Sequence, residues 1–185
     1  MSMVQGNLFY VIGPSGSGKD SLLNYAREHM KASHPVLFAH RYITRPAEAG
    51  GETYISLTHE EFRQRQSLGL FCLQWESHHN LYGIGTEVTT WLNTGSHVVV
   101  NGSRAYLPVA RLRFPQIKVI QIQVSDEIIR QRLEERGRES PDEIDARIAH
   151  NNQMPPLDDA NCQIINNDAS LTESGPRFIQ LLLAE

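Results

Sequence analysis

A chain of 185 residues can bury one substantial core and is too short for two ordinary domains. With 40% hydrophobic and 21% charged residues and a net charge of -4, it is neither disordered nor strongly basic. That balance argues against a nucleic-acid or anionic-membrane surface and leaves room for a local cationic pocket. Its two cysteines, Cys72 and Cys162, have neither disulfide nor zinc spacing, so reduced thiols in a cytoplasmic protein are predicted. No apolar run approaches about 18 residues, and the N-terminus carries no signal-like pattern.

Leu8–Ile12 is an unbroken apolar run, the pattern of a parallel strand buried on both faces. It leads into Gly13-Pro14-Ser15-Gly16-Ser17-Gly18-Lys19-Asp20, and a helix is predicted from Lys19 to about Met30, with Leu22, Leu23 and Ala26 on one face. Strand, glycine-rich turn and helix start, in that order, are what a phosphate cradle requires. Glycines let the backbone curl so that successive N–H groups meet phosphate oxygens, and the helix adds its own unpaired N–H groups. Lys19 would reach the outer phosphates as a point charge. A plain glycine turn with a solvated lysine is the alternative. The position after the lysine ordinarily carries a Ser or Thr hydroxyl for Mg²⁺, and here it is Asp20. A carboxylate is also a hard oxygen ligand, so Asp20 is the candidate Mg²⁺ ligand, direct or through water. Ser21 is turned about 100° away along the helix.

Val36–Ala39 reads as a second strand, leading to His40-Arg41-Tyr42-Ile43-Thr44-Arg45-Pro46, and a glycine turn follows at Gly50-Gly51. Thr58-His59-Glu60-Glu61 is a capping box opening a short helix to about Leu68. Leu70–Ser77 reads as a strand, His78-His79 as solvated histidines, Tyr82-Gly83-Ile84-Gly85 as a turn, and Thr86–Asn93 as a helix closed near Gly95. Val98–Val100 is a third buried strand ending at Asn101-Gly102-Ser103-Arg104. Asn101 and Ser103 stand at a strand's carboxyl end, where open α/β sheets bind ligands; capping the next helix is their other reading. Ser103–Arg113 is predicted helical despite Pro108, and Lys118–Val124 is a fourth strand. Ser125 starts a helix to about Arg136, and Ser140-Pro141-Asp142-Glu143 is a second capping box with proline at its favoured first position. Arg130, Arg132, Arg136, Arg138 and Arg147 crowd the joint between these helices. Ile164-Ile165 is a short last strand, and Ser170-Leu171-Thr172-Glu173 a third capping box. Strands alternating with helices predict an α/β fold with a mostly parallel sheet covered on both sides.

Together these segments resemble the guanylate-kinase-like branch of the nucleoside monophosphate kinases along nearly the whole chain. The resemblance implies a P-loop NTPase fold with a three-layer parallel sheet. It also implies a core at about 1–44 and 96–185, an inserted acceptor-binding region at about 45–95, and a lid at about 132–147. Tyr42-Ile43-Thr44-Arg45-Pro46 is similar to that family's threonine-arginine-proline segment, whose arginine grips the acceptor phosphate. Tyr54 and Tyr82 stand at its phosphate-binding tyrosines, and Arg132, Arg136 and Arg147 at its lid and hinge arginines. Asn166-Asn167-Asp168 resembles its segment near the ATP adenine.

The guanine-reading positions depart from the family. Gln74 stands where it has glutamate, Ile84 where it has serine, and Asn101 and Ser103 where it has aspartates. A carboxylate accepts two N–H donors from a base edge, an amide offers one acceptor and isoleucine none. Lost partners in such a site cost discrimination of order 10⁴. The phosphate grip is kept and the base grip is lost. Ala39-His40-Arg41-Tyr42-Ile43-Thr44-Arg45, Val100-Asn101-Gly102-Ser103-Arg104-Ala105 and Arg130-Gln131-Arg132-Leu133-Glu134 resemble a narrower branch. Its members act in bacterial phosphonate degradation, making 5-phosphoribosyl 1-diphosphate from ribose 1,5-bisphosphate and ATP, and an aspartate after the loop lysine is normal there.

By that resemblance, Gly13, Pro14, Ser15, Gly16, Ser17, Gly18, Lys19, Asp20 and Ser21 bind ATP, with Mg²⁺ at Asp20. Lys19, Arg132, Arg136 and Arg147 are expected to be catalytic. Arg45, Tyr54, Gln74, Tyr82, Asn101 and Ser103 are expected to bind the acceptor, with Arg41 as a helper. The partner is a small sugar phosphate, with no nucleic acid and no membrane; the oligomeric state stays open between monomer and homodimer. A guanylate kinase is the rival enzyme, disfavoured by Gln74, Ile84, Asn101 and Ser103. A non-catalytic module that binds proteins is the rival of another class, and it has no use for Lys19 or the lid arginines.

Overall fold

All five residues of β1 (Leu8–Ile12) are buried, as an unbroken apolar run requires. The computed structural model describes residues 5–46, 53–137, 139–153, 157 and 162–184. The predicted turn at Gly50-Gly51, and Arg138 of the arginine-rich joint, lie outside the described residues. The chain divides into two compact units, Met1–Tyr10 with Met30–Lys118, and Val11–His29 with Val119–Glu185.

The second unit takes the end of β1, α1 (Lys19–His29), β8 (Lys118–Gln123), α5 (Asp126–Arg136), α6 (Pro141–Asn152), β9 (Cys162–Asn166) and α7 (Leu171–Leu183). Its strands run in the order β1-β8-β9, with β8 and β9 parallel. Leu22, Leu23 and Ala26 form the buried face of α1, and the helix packs on α7. Ile129 and Leu133 of α5 meet Ile144 and Ile148 of α6 in a small core of their own. Gly137, in the left-handed conformation at φ 64°, ends α5. The Ser140–Glu143 capping box then opens α6, with both reciprocal hydrogen bonds formed.

The first unit holds β2 (Val36–Phe38), β3 (Arg41–Ile43), β4 (Tyr54–Ser56), α2 (His59–Ser67), β5 (Phe71–Ser77), β6 (Asn80–Gly85), α3 (Glu87–Asn93), β7 (His97–Asn101) and α4 (Leu107–Arg113). Here the order is β2-β7-β1, with β2 and β7 parallel. A second sheet has the order β4-β3-β6-β5, in which β3–β6 and β5–β6 are antiparallel and β3–β4 parallel. Leu57, Phe62 and Phe71 pack with Tyr42 and Leu81 on one side of it. The Thr58–Glu61 capping box forms as predicted.

Several expectations need correction. Tyr82–Gly85 is part of strand β6 and not a turn, because Trp75 pairs with Tyr82 and Leu73 with Ile84. The turn lies four residues earlier, at His78-His79, both with positive φ (47° and 62°), as a two-residue hairpin turn demands. Helix α4 begins only at Leu107, so Pro108 sits in its first turn, where a missing N–H is harmless. Neither Ser125, expected to cap α5, nor Ser170 makes a side-chain cap to the backbone; the Ser170 hydroxyl donates to Glu173 Oε1 at 2.9 Å, so the third capping box does not close.

The hairpin turn yields a stability prediction. Histidine carries a Cβ, and the left-handed conformation costs such residues roughly 1 kcal/mol or more each. Replacing His78→Asn and His79→Gly together should stabilise the protein by about 1 kcal/mol, raising Tm by about 3 °C. Thermal unfolding of both proteins checks it, and an unchanged or lower Tm rejects it.

Candidate active site

In the second unit the glycine loop leaves β1 at Gly13 and enters α1 at Lys19. Gly16 and Gly18 hold φ of 85° and 75°, which residues with a Cβ rarely adopt. A Cβ on Gly18 would also lie 2.7 Å from Asn167 Nδ2. The loop is fixed from outside through its carbonyl oxygens. Asn167 Nδ2 donates to Ser17 O at 2.7 Å, and Arg132 donates to Ser17 O at 3.4 Å and to Asn167 O at 2.7 Å. Asn167 is itself buried and tied to β8 by its backbone N–H, which donates to Gln123 O at 2.8 Å. Arg147 Nη1 donates to Ser15 Oγ at 2.8 Å, and Asn151 Nδ2 to Ser15 O at 3.4 Å.

Arg136 and Arg147 both pair with Glu139, Arg147 at 3.2 Å. The predicted lid, 132–147, spans the end of α5 and the first part of α6, with two of its three arginines on one carboxylate. Arg132 differs from expectation, since two of its N–H groups serve backbone carbonyls of the loop and of Asn167. Lys19 is largely covered, and its Nζ lies 3.9 Å from Asp20 Oδ1. The Ser17 hydroxyl is 1% exposed and has no hydrogen-bond partner among the described residues. An orphaned buried hydroxyl inside a glycine loop fits a ligand that supplies acceptor oxygens.

The first unit carries the other set. Successive side chains of a strand alternate between faces, and residues paired across strands share a face. The pairings Arg41↔Tyr54, Arg41↔Ile84, Ile43↔Tyr82, Leu73↔Ile84 and Trp75↔Tyr82 therefore put Arg41, Tyr54, Tyr82, Ile84, Leu73 and Trp75 on one face of the second sheet. On it the Arg41 guanidinium lies 5.2 Å from the centre of the Tyr82 ring, and that of Arg45 4.5 Å from the Tyr54 ring. Trp75 stacks between Tyr82 (5.4 Å, 3°) and Tyr106 (5.5 Å, 30°). Tyr54 donates its hydroxyl proton to Pro46 O, and Ser56 Oγ donates to Arg45 O at 2.6 Å. Thr44 Oγ1 accepts the Leu81 N–H at 2.9 Å, which anchors the Arg45 segment to β6.

Gln74 is the residue that alternation separates from this set. It pairs with Gly83, and Gly83 with Tyr42, so its side chain leaves on the opposite face from Tyr82. The positions that accompany Tyr82 and Ile84 are Trp75 and Leu73, and Leu73 and Ile84 are fully buried. Gln74, expected to bind the acceptor, thus lies on the face opposite Tyr82. Asn101, buried at the end of β7, and Ser103 do not cap α4, whose N-cap is Tyr106. The Ser103 backbone instead exchanges two 3.0 Å hydrogen bonds with the Tyr10 hydroxyl. Burial drives the pKa of that hydroxyl far up, which keeps Tyr10 a neutral structural group. A Cβ at Gly102 would lie 2.3 Å from the Tyr10 ring, so only glycine fits there.

Sequence reading missed Trp75, Tyr106 and the brace by Asn167. Only the hydroxyl of Tyr10 in an otherwise apolar strand signalled that something polar lay nearby. Burial pushes the Cys72 thiol up to about 11, so it is no nucleophile. No group of three or more His, Cys, Asp or Glu that could hold a metal ion occurs among the described residues, and no helix among them is long and apolar enough to cross a membrane.

A glycine loop between a buried strand and a helix, its flank lined by arginines, defines a P-loop kinase. The fold is that of guanylate kinase: the crystal structure of guanylate kinase from Anaplasma phagocytophilum matches 99% of this chain and 87% of its own, with a TM-score of 0.70 and 18% identity. No family model matches the chain. A ribose 1,5-bisphosphate phosphokinase PhnN from Thiobacillus denitrificans is 51% identical over 181 residues, 97% of this chain and 94% of the relative. Those of Psychromonas ingrahamii and Chromobacterium violaceum are 48% and 46% identical, over 96% of this chain and 90% and 94% of their own lengths. The chain belongs to the ribose 1,5-bisphosphate phosphokinase family.

The segment beside Asn167 yields a pH prediction. Asp168 accepts the Ser125 N–H at 2.7 Å and an Asn166 Nδ2–H at 3.0 Å, and these bonds hold its carboxyl below the ordinary carboxylate range. A carboxylate with a depressed pKa stabilises the fold above its unfolded-state pKa, and that contribution is lost as pH falls through its folded value. Asp168→Asn should therefore be less stable than the parent at pH 7, with the gap closing below about pH 4. Denaturant midpoints at pH 7 and pH 3 measure it; a gap that does not change with pH rejects it.

Proposed function

We propose that this protein transfers the γ-phosphoryl group of ATP to the 1-phosphate of ribose 1,5-bisphosphate, giving 5-phosphoribosyl 1-diphosphate and ADP. The observation that carries this reading, beside the family, is the acceptor face itself. It presents two arginines and two tyrosines, and its neighbouring rungs, the fully buried Leu73 and Ile84, offer no hydrogen bond to a base edge. A face of that composition favours a sugar phosphate over a nucleotide.

In this reading residues 13–21 cradle the ATP phosphates, with Lys19 at the outer oxygens and the Ser17 hydroxyl finding its acceptor there. Asp20 holds Mg²⁺; its half-exposed carboxylate is a single hard-oxygen donor, which suits an ion that keeps several waters and takes its other ligands from phosphates. When bound, Mg²⁺ would supply positive charge that offsets the negative charge developing on the phosphates in transfer. Arg45, Tyr54 and Tyr82 hold the acceptor phosphate, and Asn101 and Ser103 line the sugar end. An oxygen of the 1-phosphate attacks the γ-phosphorus as the bond to the bridging oxygen of ADP breaks. The acceptor is already ionised, so no general base is required. Arg136 and Arg147 exchange Glu139 for phosphate oxygens when ATP binds, while Arg132 keeps the loop in shape.

An acceptor panel with Mg-ATP tests the activity: ribose 1,5-bisphosphate, ribose 5-phosphate, GMP, AMP and no acceptor. Formation of 5-phosphoribosyl 1-diphosphate from the bisphosphate alone is expected, and phosphorylation of GMP would give the role to a guanylate kinase. In the same assay Lys19→Ala should lose at least about 10²-fold in kcat with its unfolding curve unchanged. A rate near the parent's would remove Lys19 from the chemistry. Asp20→Ser should shift the Mg²⁺ concentration needed for half-maximal rate, and superimposable Mg²⁺ titrations would place Asp20 away from the metal.

A further inference from the structure

The acceptor face carries two arginine–tyrosine pairs where a single phosphate needs one. Arg41 lies over Tyr82 and Arg45 over Tyr54, so each guanidinium is oriented by a different ring. Arg41 opens β3 and Arg45 lies two residues past its end, a separation of at most about 13 Å between their Cα atoms. Their surroundings diverge as well. Arg45 belongs to the Pro46 and Ser56 end of the sheet, where its carbonyl accepts the Ser56 hydroxyl. Arg41 is near enough to the Tyr10 hydroxyl for its charge to act on it, and Tyr10 is bonded to Ser103 at the end of β7.

A sugar bisphosphate brings two anionic groups into the site, and a phosphate removed from water without a cation is strongly disfavoured. Resting on the function proposed above, we propose that Arg41 binds the non-reacting 5-phosphate of ribose 1,5-bisphosphate, while Arg45 binds the 1-phosphate that receives the phosphoryl group. The arginine at position 41 is then a specificity-determining residue. It rewards a ligand with a second phosphate at the far end of a ribose, a feature that no nucleoside monophosphate has. Tyr82, stacked on Trp75, holds the Arg41 guanidinium in place between the two ends.

Binding measured calorimetrically without nucleotide separates the two ends. The ligands are ribose 1,5-bisphosphate, ribose 1-phosphate and ribose 5-phosphate, and the proteins are the parent, Arg41→Ala and Arg45→Ala. Loss of one charge-assisted grip corresponds to about 10- to 100-fold in affinity. Arg41→Ala should weaken the bisphosphate and ribose 5-phosphate by that factor, and ribose 1-phosphate by less than about 3-fold. Arg45→Ala should show the converse pattern. If Arg41→Ala weakens ribose 1-phosphate as much as ribose 5-phosphate, both arginines serve one phosphate and the assignment is wrong. Arg41→Gln carries the same comparison should the alanine variant unfold, and Arg41→Lys should recover part of the ribose 5-phosphate affinity. A parent that fails to prefer the bisphosphate over both monophosphates sinks the proposed function. A parent that prefers it, with no split between the arginine variants, sinks only the role of Arg41.

Discussion

A strand offers its side chains two faces, and cross-strand pairing decides which residues share each one. Most of what the acceptor region can do depends on that constraint. The pairing of Trp75 with Tyr82 fixes the register of β5 on β6, and the pairing of Ile43 with Tyr82 carries it to β3. From those pairings it follows that Arg41, Tyr54, Tyr82 and Trp75 are neighbours, although they are scattered over 42 positions of the sequence (82 − 41 + 1). The same register sends Tyr42 and Gln74 to the side where Phe62 and Phe71 pack. The His78-His79 turn holds this register, since a two-residue loop allows no slippage between β5 and β6.

The donor region obeys a different constraint, the need of a glycine loop to keep its N–H groups for a ligand. The Ser17 N–H closes the turn onto Pro14 O at 3.2 Å. From outside, the loop is anchored through carbonyl oxygens, Ser17 O taking hydrogen bonds from Asn167 and Arg132, and Ser15 O from Asn151. Arg132 suits this task because its fixed fork can serve two carbonyls at once and cannot lose its charge. Glu139 does the corresponding service for Arg136 and Arg147, holding two cations side by side that would otherwise repel.

Legibility in the sequence followed the range of the interaction. Local signals read correctly: the buried run before the glycine loop, the Thr58–Glu61 and Ser140–Glu143 capping boxes, and the glycine that ends α5. The loop lysine and the arginines could be named from spacing and resemblance, yet the partners of Arg132 could not, since they lie 115 and 35 residues away. Position 74 failed for a related reason. A residue adjacent to a tryptophan in sequence is opposite to it in a strand, and the register that settles the matter is set by residues on another strand. The hairpin turn was misplaced because positive φ is expected of glycine or asparagine, and two histidines give no such signal.

These observations change the account of how a base grip is lost. Exchange of a carboxylate for an amide at position 74 weakens recognition by one acceptor. A glutamate at 74 would emerge beside Tyr42 and the Phe62–Phe71 core, and not beside Tyr82. On the acceptor face the equivalent rungs are Leu73 and Ile84, exposed by 1% and 0%, so a polar group there would be buried without room for a partner. These two rungs therefore offer a base edge no hydrogen bond, and the charged groups of this face are the guanidinium groups beside Tyr82 and Tyr54.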